Sequence, residues 1–288
     1  MRNPRYFTLL IVLVLAAASA SAQTGSFLNI PGDVRELAMG GVNAGSDAVM
    51  ALDDDKVKVD ASYLMWSPKG TASSIVAADL GYRLGKLAII AEAGLNAYDP
   101  YYTYDEWGNS TGEYSPSELF AGIGAAYRII PGLGVSVMAK YVGSNLAEGA
   151  QTSAVCADVN AVFRLRSLTV GVSGSNIGSG TLPMLVEAGA SHSFSFGKAL
   201  KLGVGLDAGY LSQGQYGAVV ASAGVDLKIL NMISVMAGYH FSTNTAFEPS
   251  YVSAGLGLDV AMISISAAYL AGNPYIGNTL GLTLGCAF

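Results

Sequence analysis

The sequence predicts an all-β protein, a transmembrane antiparallel β-barrel of about 14 strands with a short N-terminal plug segment. Three observations carry this expectation. Hydrophobic residues make up 51% of the 288-residue chain and charged residues only 12%, about half the charge of an ordinary soluble domain. After the first two dozen residues there is no uninterrupted apolar run of about 18 residues, so no helix is available to span a bilayer. From Val57 onward the chain instead alternates apolar with small or polar side chains. That period of two is the mark of strands with one lipid-facing and one lumen-facing side. A chain of membrane-like composition without spanning helices satisfies its backbone in lipid only by closing a barrel.

Residues 1–22 read as a signal peptide. Arg2 and Arg5 form a basic start, Thr8 to Ala18 an apolar stretch, and Ala20-Ser21-Ala22 a small-residue cleavage site. Cleavage there makes Gln23 the first mature residue and takes the formal charge from −6 to −8 through the loss of the two arginines. An acidic chain with scattered basic residues argues against nucleic acid as a partner. Residues 23–56 form an N-terminal periplasmic or plug segment, too rich in Gly and Asp and too weakly alternating for a further strand. The barrel occupies residues 57–288.

Its strands are expected near 57–66, 73–83, 86–96, 117–129, 133–143, 152–165, 168–176, 183–195, 199–211, 216–229, 231–242, 250–260, 262–271 and 278–288. Short turns such as Leu84-Gly85, Arg166-Ser167 and Gly197-Lys198 alternate with longer loops. The longest loop, 97–116, holds five Tyr, one Trp and several acids. Short turns face the periplasm in such barrels and long loops face outside. An even strand number then places the protein in the cell outer membrane with both termini periplasmic. Outward aromatics fall at strand ends, Tyr141, Tyr210, Tyr239 and Tyr269 at the loop side and Tyr82, Tyr127, Phe163 and Phe194 at the turn side, as two interfacial girdles require.

The alternation points Glu92, Lys140, Asp158, Arg164, Asp207, Asp226 and Asp259 into the lumen. Two readings stand: a polar translocation path, or charges that pair across strands because the lipid face cannot hold them. The second is the better reading for any one residue. Many inward Gly leave the lumen thinly filled. On that view Gly205→Ser costs much less than Val204→Arg on the lipid side. Cys156 points inward and Cys286 outward, which argues against a disulfide. Asp53-Asp54-Asp55 reads as a solvated linker. No catalytic, phosphate-binding or metal spacing is present, and the lumen-facing His240 and outward His192 are too far apart in the pattern to work together. An enzyme is not expected, nor any cofactor.

The final strand alternates Leu280, Leu282, Leu284, Cys286 and Phe288 with small or polar residues. Leu284 and the terminal Phe288 resemble the C-terminal signal that barrel-insertion machinery reads.

The most specific text precedes the barrel: Phe27-Leu28-Asn29-Ile30-Pro31-Gly32-Asp33-Val34-Arg35-Glu36-Leu37-Ala38-Met39-Gly40-Gly41-Val42. This resembles the start of the PorV/PorQ family, relatives of the FadL-type barrels. Gly174-Ser175-Asn176-Ile177-Gly178 and Phe288 also fit that family. The resemblance implies a fourteen-stranded barrel whose N-terminal segment folds into the lumen as a hatch, with Arg35, Met39, Gly40 and Gly41 as the plug motif. It implies support of protein secretion or surface display, as in a type IX system with secreted cargo proteins as partners. The alternatives are a FadL-like passive channel for hydrophobic small molecules, or a structural or adhesive barrel acting through Tyr101, Tyr102 and Tyr104. Outer-membrane lipid is the surrounding partner in each case. The Asn-Pro-Ala that the family places before the first strand is replaced here by Ser46 to Leu52. From the residues alone, Arg35 to Met39 suit one helical turn ended by Gly40-Gly41, with Arg35 placed near an inward acid such as Asp158 or Asp207.

Overall fold

A computed structural model describes residues 25–43, 46–53, 55–66, 72–178, 180–272 and 278–288. The expected signal peptide lies outside the described residues. Fourteen strands close a barrel: β1 (Val57–Trp66), β2 (Ser73–Leu84), β3 (Leu87–Tyr98), β6 (Ser117–Ile130), β7 (Leu133–Ala147), β8 (Ala150–Leu165), β9 (Leu168–Ile177), β10 (Met184–Phe196), β11 (Leu200–Gln213), β12 (Tyr216–Ile229), β13 (Ile233–Ser242), β14 (Tyr251–Val260), β15 (Ile263–Gly272) and β16 (Asn278–Ala287). Each pairs antiparallel with its neighbour in the chain, and β1 pairs with β16 to shut the sheet. At that seam the Phe288 carbonyl accepts from the Val57 amide at 2.8 Å, and the Phe288 amide donates to the Val57 carbonyl at 3.0 Å. Both ends of the barrel chain therefore meet at the short-turn end.

The alternation places these strands to within a few residues. It misses β4 (Tyr101–Tyr104) and β5 (Ser110–Tyr114), a separate hairpin inside the long loop. Both faces of that hairpin are polar or aromatic, so no period-two contrast marks it.

Every Asp, Glu, Lys and Arg of the barrel strands occupies a lumen-side position, while the outward positions carry Val, Leu, Ile, Ala and aromatics. The eight expected girdle aromatics are all exposed on the outside. Leu284 and Phe288 are exposed on the same outer face of the last strand and its end. This is the partition that a hydrocarbon belt around the barrel demands, because a charge facing lipid costs about 2–4 kcal/mol at mid-bilayer. Cys156 is buried inward and Cys286 half-buried outward, both as free thiols.

The lumen is occupied. Residues 25–43 and 46–53 lie inside it as a 3-10 turn (Ser26–Asn29), a one-turn helix α1 (Val34–Ala38) and a shorter turn α2 (Ser46–Val49). Asp33 caps α1 by accepting from the Arg35 amide at 2.8 Å. Gly40 and Gly41, at φ 79° and 85°, end it. Helix α1 packs on β13–β16, and α2 on β6–β8.

Inward glycines make this packing possible. A Cβ on Gly238 would collide with the backbone of Met39 and Gly40, one on Gly224 with Met39, and one on Gly81 would lie 2.9 Å from the Met50 sulfur. Gly205 corrects the sequence expectation. Its missing Cβ would sit 2.6 Å from Val42 Cγ1, so Gly205→Ser enters a filled space and is not the cheap change expected of an empty lumen.

The fit is close from the plug side as well, at Gly40, where a Cβ would lie 2.7 Å from the Tyr239 backbone nitrogen and the φ angle is left-handed. Gly40→Ala is therefore expected to loosen the plug and leave the wall intact. Limited proteolysis within residues 25–53 should accelerate while heat-modifiable gel migration stays unchanged; unchanged proteolysis would refute the close fit.

Candidate functional site: the plugged lumen

The lumen gathers the charges of the barrel strands. At the short-turn end, Arg35 reaches from α1 to β14, its Nη2 2.7 Å from Asp259 Oδ1 and its Nε donating to Ser266 Oγ at 3.0 Å. Lys228 Nζ lies 2.8 Å from the other oxygen of Asp259. Arg35 thus finds Asp259, not the expected Asp158 or Asp207. The reason is the direction of α1, which lies against β13–β16 and away from β8 and β11. On the other side of the same end, Arg164 Nη1 holds Asp53 at 2.9 Å. Asp53, read as part of a solvated linker, is a second anchor of the plug.

Deeper in, Lys140 on β7 forms the centre of a buried cluster, 2.6 Å from Asp158 Oδ2 and 3.8 Å from Glu92 Oε1. Asp158 also accepts from the Asn176 amide at 2.7 Å. That bond shapes the wall: Asn176 takes a left-handed φ of 57°, and the register of β8 with β9 shifts there. Outside this bulge the wall carries a shallow apolar groove of about 600 Å³ bordered by Val159, Val172, Ile177 and Val186. Removing one partner from a buried ion cluster of this kind costs about 3–5 kcal/mol. Asp207 accepts from the Asn43 amide of the plug at 2.6 Å. Asp226 joins none of these pairs, and its Oδ1 is buried without a hydrogen-bond partner.

Between the plug and the wall runs a cavity of about 330 Å³. Its lower part is lined by carboxylates, among them Asp60, Glu92, Asp158, Glu187 and Asp207. Toward the long-loop end it meets an apolar layer. Phe27 lies tilted against Phe120 with centroids 5.8 Å apart, and Leu28 and Phe120 both pack against the buried cluster that contains Leu182. Glu118 pins this layer: its carboxylate accepts from the Gly25 amide at 2.8 Å, Tyr98 Oη at 2.7 Å and Ser144 Oγ at 3.0 Å. The alternation alone could have marked Glu118, Glu187 and Asp60 as inward. It could not show that Glu118 binds the plug, a contact across 93 residues of chain.

A second polar group flanks the layer. The His240 ring stacks on Tyr251 at 5.0 Å, its Nδ1 lies 3.0 Å from Ser222 Oγ, and its Nε2 is 3.7 Å from Glu248 Oε1. Glu248, in the loop before β14, also accepts from Asn29 of the plug at 3.4 Å. Burial pushes the Glu248 carboxyl up to about 7, and the Asn29 bond offsets part of that rise.

The sites expected from sequence thus divide. Arg35, Met39, Gly40 and Gly41 all lie at the contact of the plug with β12–β15. Glu92, Lys140 and Asp158 meet in one cluster, while Asp207, Arg164 and Asp259 each hold a separate part of the plug. Among the described residues no group of His, Cys, Asp and Glu is placed to hold a metal ion.

No protein-family model matches the sequence. No curated protein matches it either. Solved structures do share its shape. The Ralstonia pickettii toluene transporter TbuX superposes with a TM-score of 0.65 at 13% identity, covering 91% of this chain and 100% of that one. The Pseudomonas putida toluene transporter TodX gives 0.53 at 14% identity, covering 88% and 97%. The chain shares the barrel fold of these two transporters.

The raised carboxyl of Glu248 fixes the sign of a pH effect. The folded state holds this proton more tightly than the unfolded chain, so ionising Glu248 opposes folding. Its contribution is favourable below the ordinary glutamate range of about 4.3 and is lost as pH rises toward 7. Protection of the Asn29 region in hydrogen exchange should fall across that window, and Glu248→Gln should flatten the fall. A window unchanged by the substitution would assign the effect elsewhere.

Proposed function

We propose that the mature chain resides in the outer membrane, with the short turns and both barrel ends in the periplasm, and conducts small apolar molecules past a plug formed by residues 23–56. The apolar layer of Phe27, Leu28, Phe120 and Leu182 carries this reading. Phe27, Leu28 and Phe120 line the cavity itself, so a neutral apolar solute meets a matching surface there. The fold shared with two toluene transporters supports it. The acid-lined lower cavity is a poor route for such a solute, and the apolar groove beside the β9 bulge offers the better one.

The segment resembling PorV/PorQ is what favoured the other reading, support of protein secretion or surface display. Its Arg35, Met39, Gly40 and Gly41 are occupied in fixing the plug, and nothing beyond that motif favours a role in handling secreted proteins.

The decisive measurement is uptake of radiolabelled toluene by a host lacking its own hydrocarbon channel. Expression of the protein should speed uptake, and Phe27→Asp with Leu28→Asp should abolish the gain while the barrel still assembles. Equal uptake with and without the protein would overturn the channel.

We further propose that Leu284 and Phe288 serve barrel insertion. Phe288→Ala keeps the backbone bonds to Val57, so any loss of assembled, heat-modifiable barrel reports the side chain. Full assembly of that variant would remove Phe288 from the signal.

A further inference from the structure

The β4–β5 hairpin stands outside the barrel and plays no part in the channel reading. Its two faces differ. Toward the barrel rim, Tyr101 and Tyr114 pack with ring centroids 5.5 Å apart, Tyr101 Oη donates to the Leu146 carbonyl at 3.3 Å, and Tyr114 Oη donates to Asn145 Oδ1 at 2.6 Å. These contacts fix the hairpin on the long-loop end of β7. The turn is fixed as well. Asp105 accepts from the Trp107 amide at 2.9 Å, the Asn109 amide at 2.8 Å and Asn109 Nδ2 at 3.0 Å. The Asn109 side-chain bond, with the backbone bonds behind it, holds the Asp105 carboxyl below its usual range, so it stays ionised.

Among the described residues the opposite face has no partner. Tyr102 is 63% exposed, Tyr104 64% and Trp107, at the tip, 79%. Tyr102 sits directly across from Glu113 in the register, which places ring and carboxylate on one face. Glu106 precedes Trp107. Residues 97–116 contain Asp99, Asp105, Glu106 and Glu113 and no Lys or Arg. The β7–β8 turn adds Glu148 and no basic residue. Three rings held open to solvent at little further entropy cost are a binding surface in waiting. Their setting selects the occupant. An aromatic face attracts a cation through its quadrupole, and a carboxylate beside it attracts the same cation by charge.

We propose that the outer face of this hairpin binds a basic polypeptide segment, with Lys or Arg side chains lying over Tyr102, Tyr104 and Trp107 and paired to Glu106 and Glu113. Guanidinium suits the surface best, because it stacks on a ring and pairs with a carboxylate through the same planar group. Lipid is a poor occupant for a face that carries two unpaired carboxylates.

The test uses the mature barrel in detergent and a dye-labelled nona-arginine peptide followed by fluorescence anisotropy. Replacing Tyr102, Tyr104 and Trp107 together by Leu should weaken binding by about tenfold or more. Replacing all three by Phe, which keeps the ring faces, should change it by less than about threefold. Glu106→Gln with Glu113→Gln should weaken binding and reduce its salt dependence. Unaltered heat-modifiable migration confirms that each variant is folded. Two results would overturn the proposal: equal binding by the Leu variant, which would assign the affinity to the general acidity of the chain, or competition by a neutral oligosaccharide, which would make the surface a sugar site.

Discussion

A backbone in hydrocarbon has no solvent to bond, so each amide on the wall must find its partner within the sheet. The pairing of β1 with β16 meets that demand, and it is the contact on which the remaining structure rests. Without it two edges would face lipid. With it the wall has an inside and an outside along every strand, and one alternation sorts the whole composition. The outer set becomes predominantly apolar and free of Asp, Glu, Lys and Arg. All strand charges go inward, where they must be neutralised in a small volume.

That confinement explains the plug. Fourteen strands enclose more space than their side chains fill when so many inward positions are Gly. The vacant volume takes residues 25–43 and 46–53, and the plug in turn supplies the partners that several wall charges need: Arg35 for Asp259, Asp53 for Arg164, and the Asn43 amide for Asp207. The wall supplies what the plug needs, including Glu118 for the Gly25 amide. Wall charges and plug are thus two halves of one electrostatic arrangement. The apolar layer at one end and the carboxylates lower down give the lumen a polarity along its axis.

The fold was legible because its signal is local and repeated. Each strand shows its own alternation, and turns such as Leu84-Gly85 separate one from the next. The inward charges were legible for the same reason. Their partners were not, because parity tells which side a residue faces and nothing of its angular position around the barrel. Arg35 could have met any inward acid until α1 was seen to lie on β13–β16. Gly205 shows the same limit: a missing side chain reads alike whether the space beside it is empty or holds Val42. The β4–β5 hairpin escaped because neither of its faces is buried in lipid.

The contacts that seat the plug join residues far apart in the chain. Gly25 meets Glu118 across 93 positions, Arg35 meets Asp259 across 224, and Val34 donates to Thr283 across 249. The plug leaves the ribosome before any strand, yet its docking surface is complete only when the last strands are in place. Contacts of such long range form slowly. The plug must therefore wait, unseated, while the wall is built around it. It is the last element to settle, and the wall sheds no backbone pairing when it lifts out again. A barrel assembled in this order carries a natural hierarchy of stability, with a durable shell and a core segment that is able to exchange on its own.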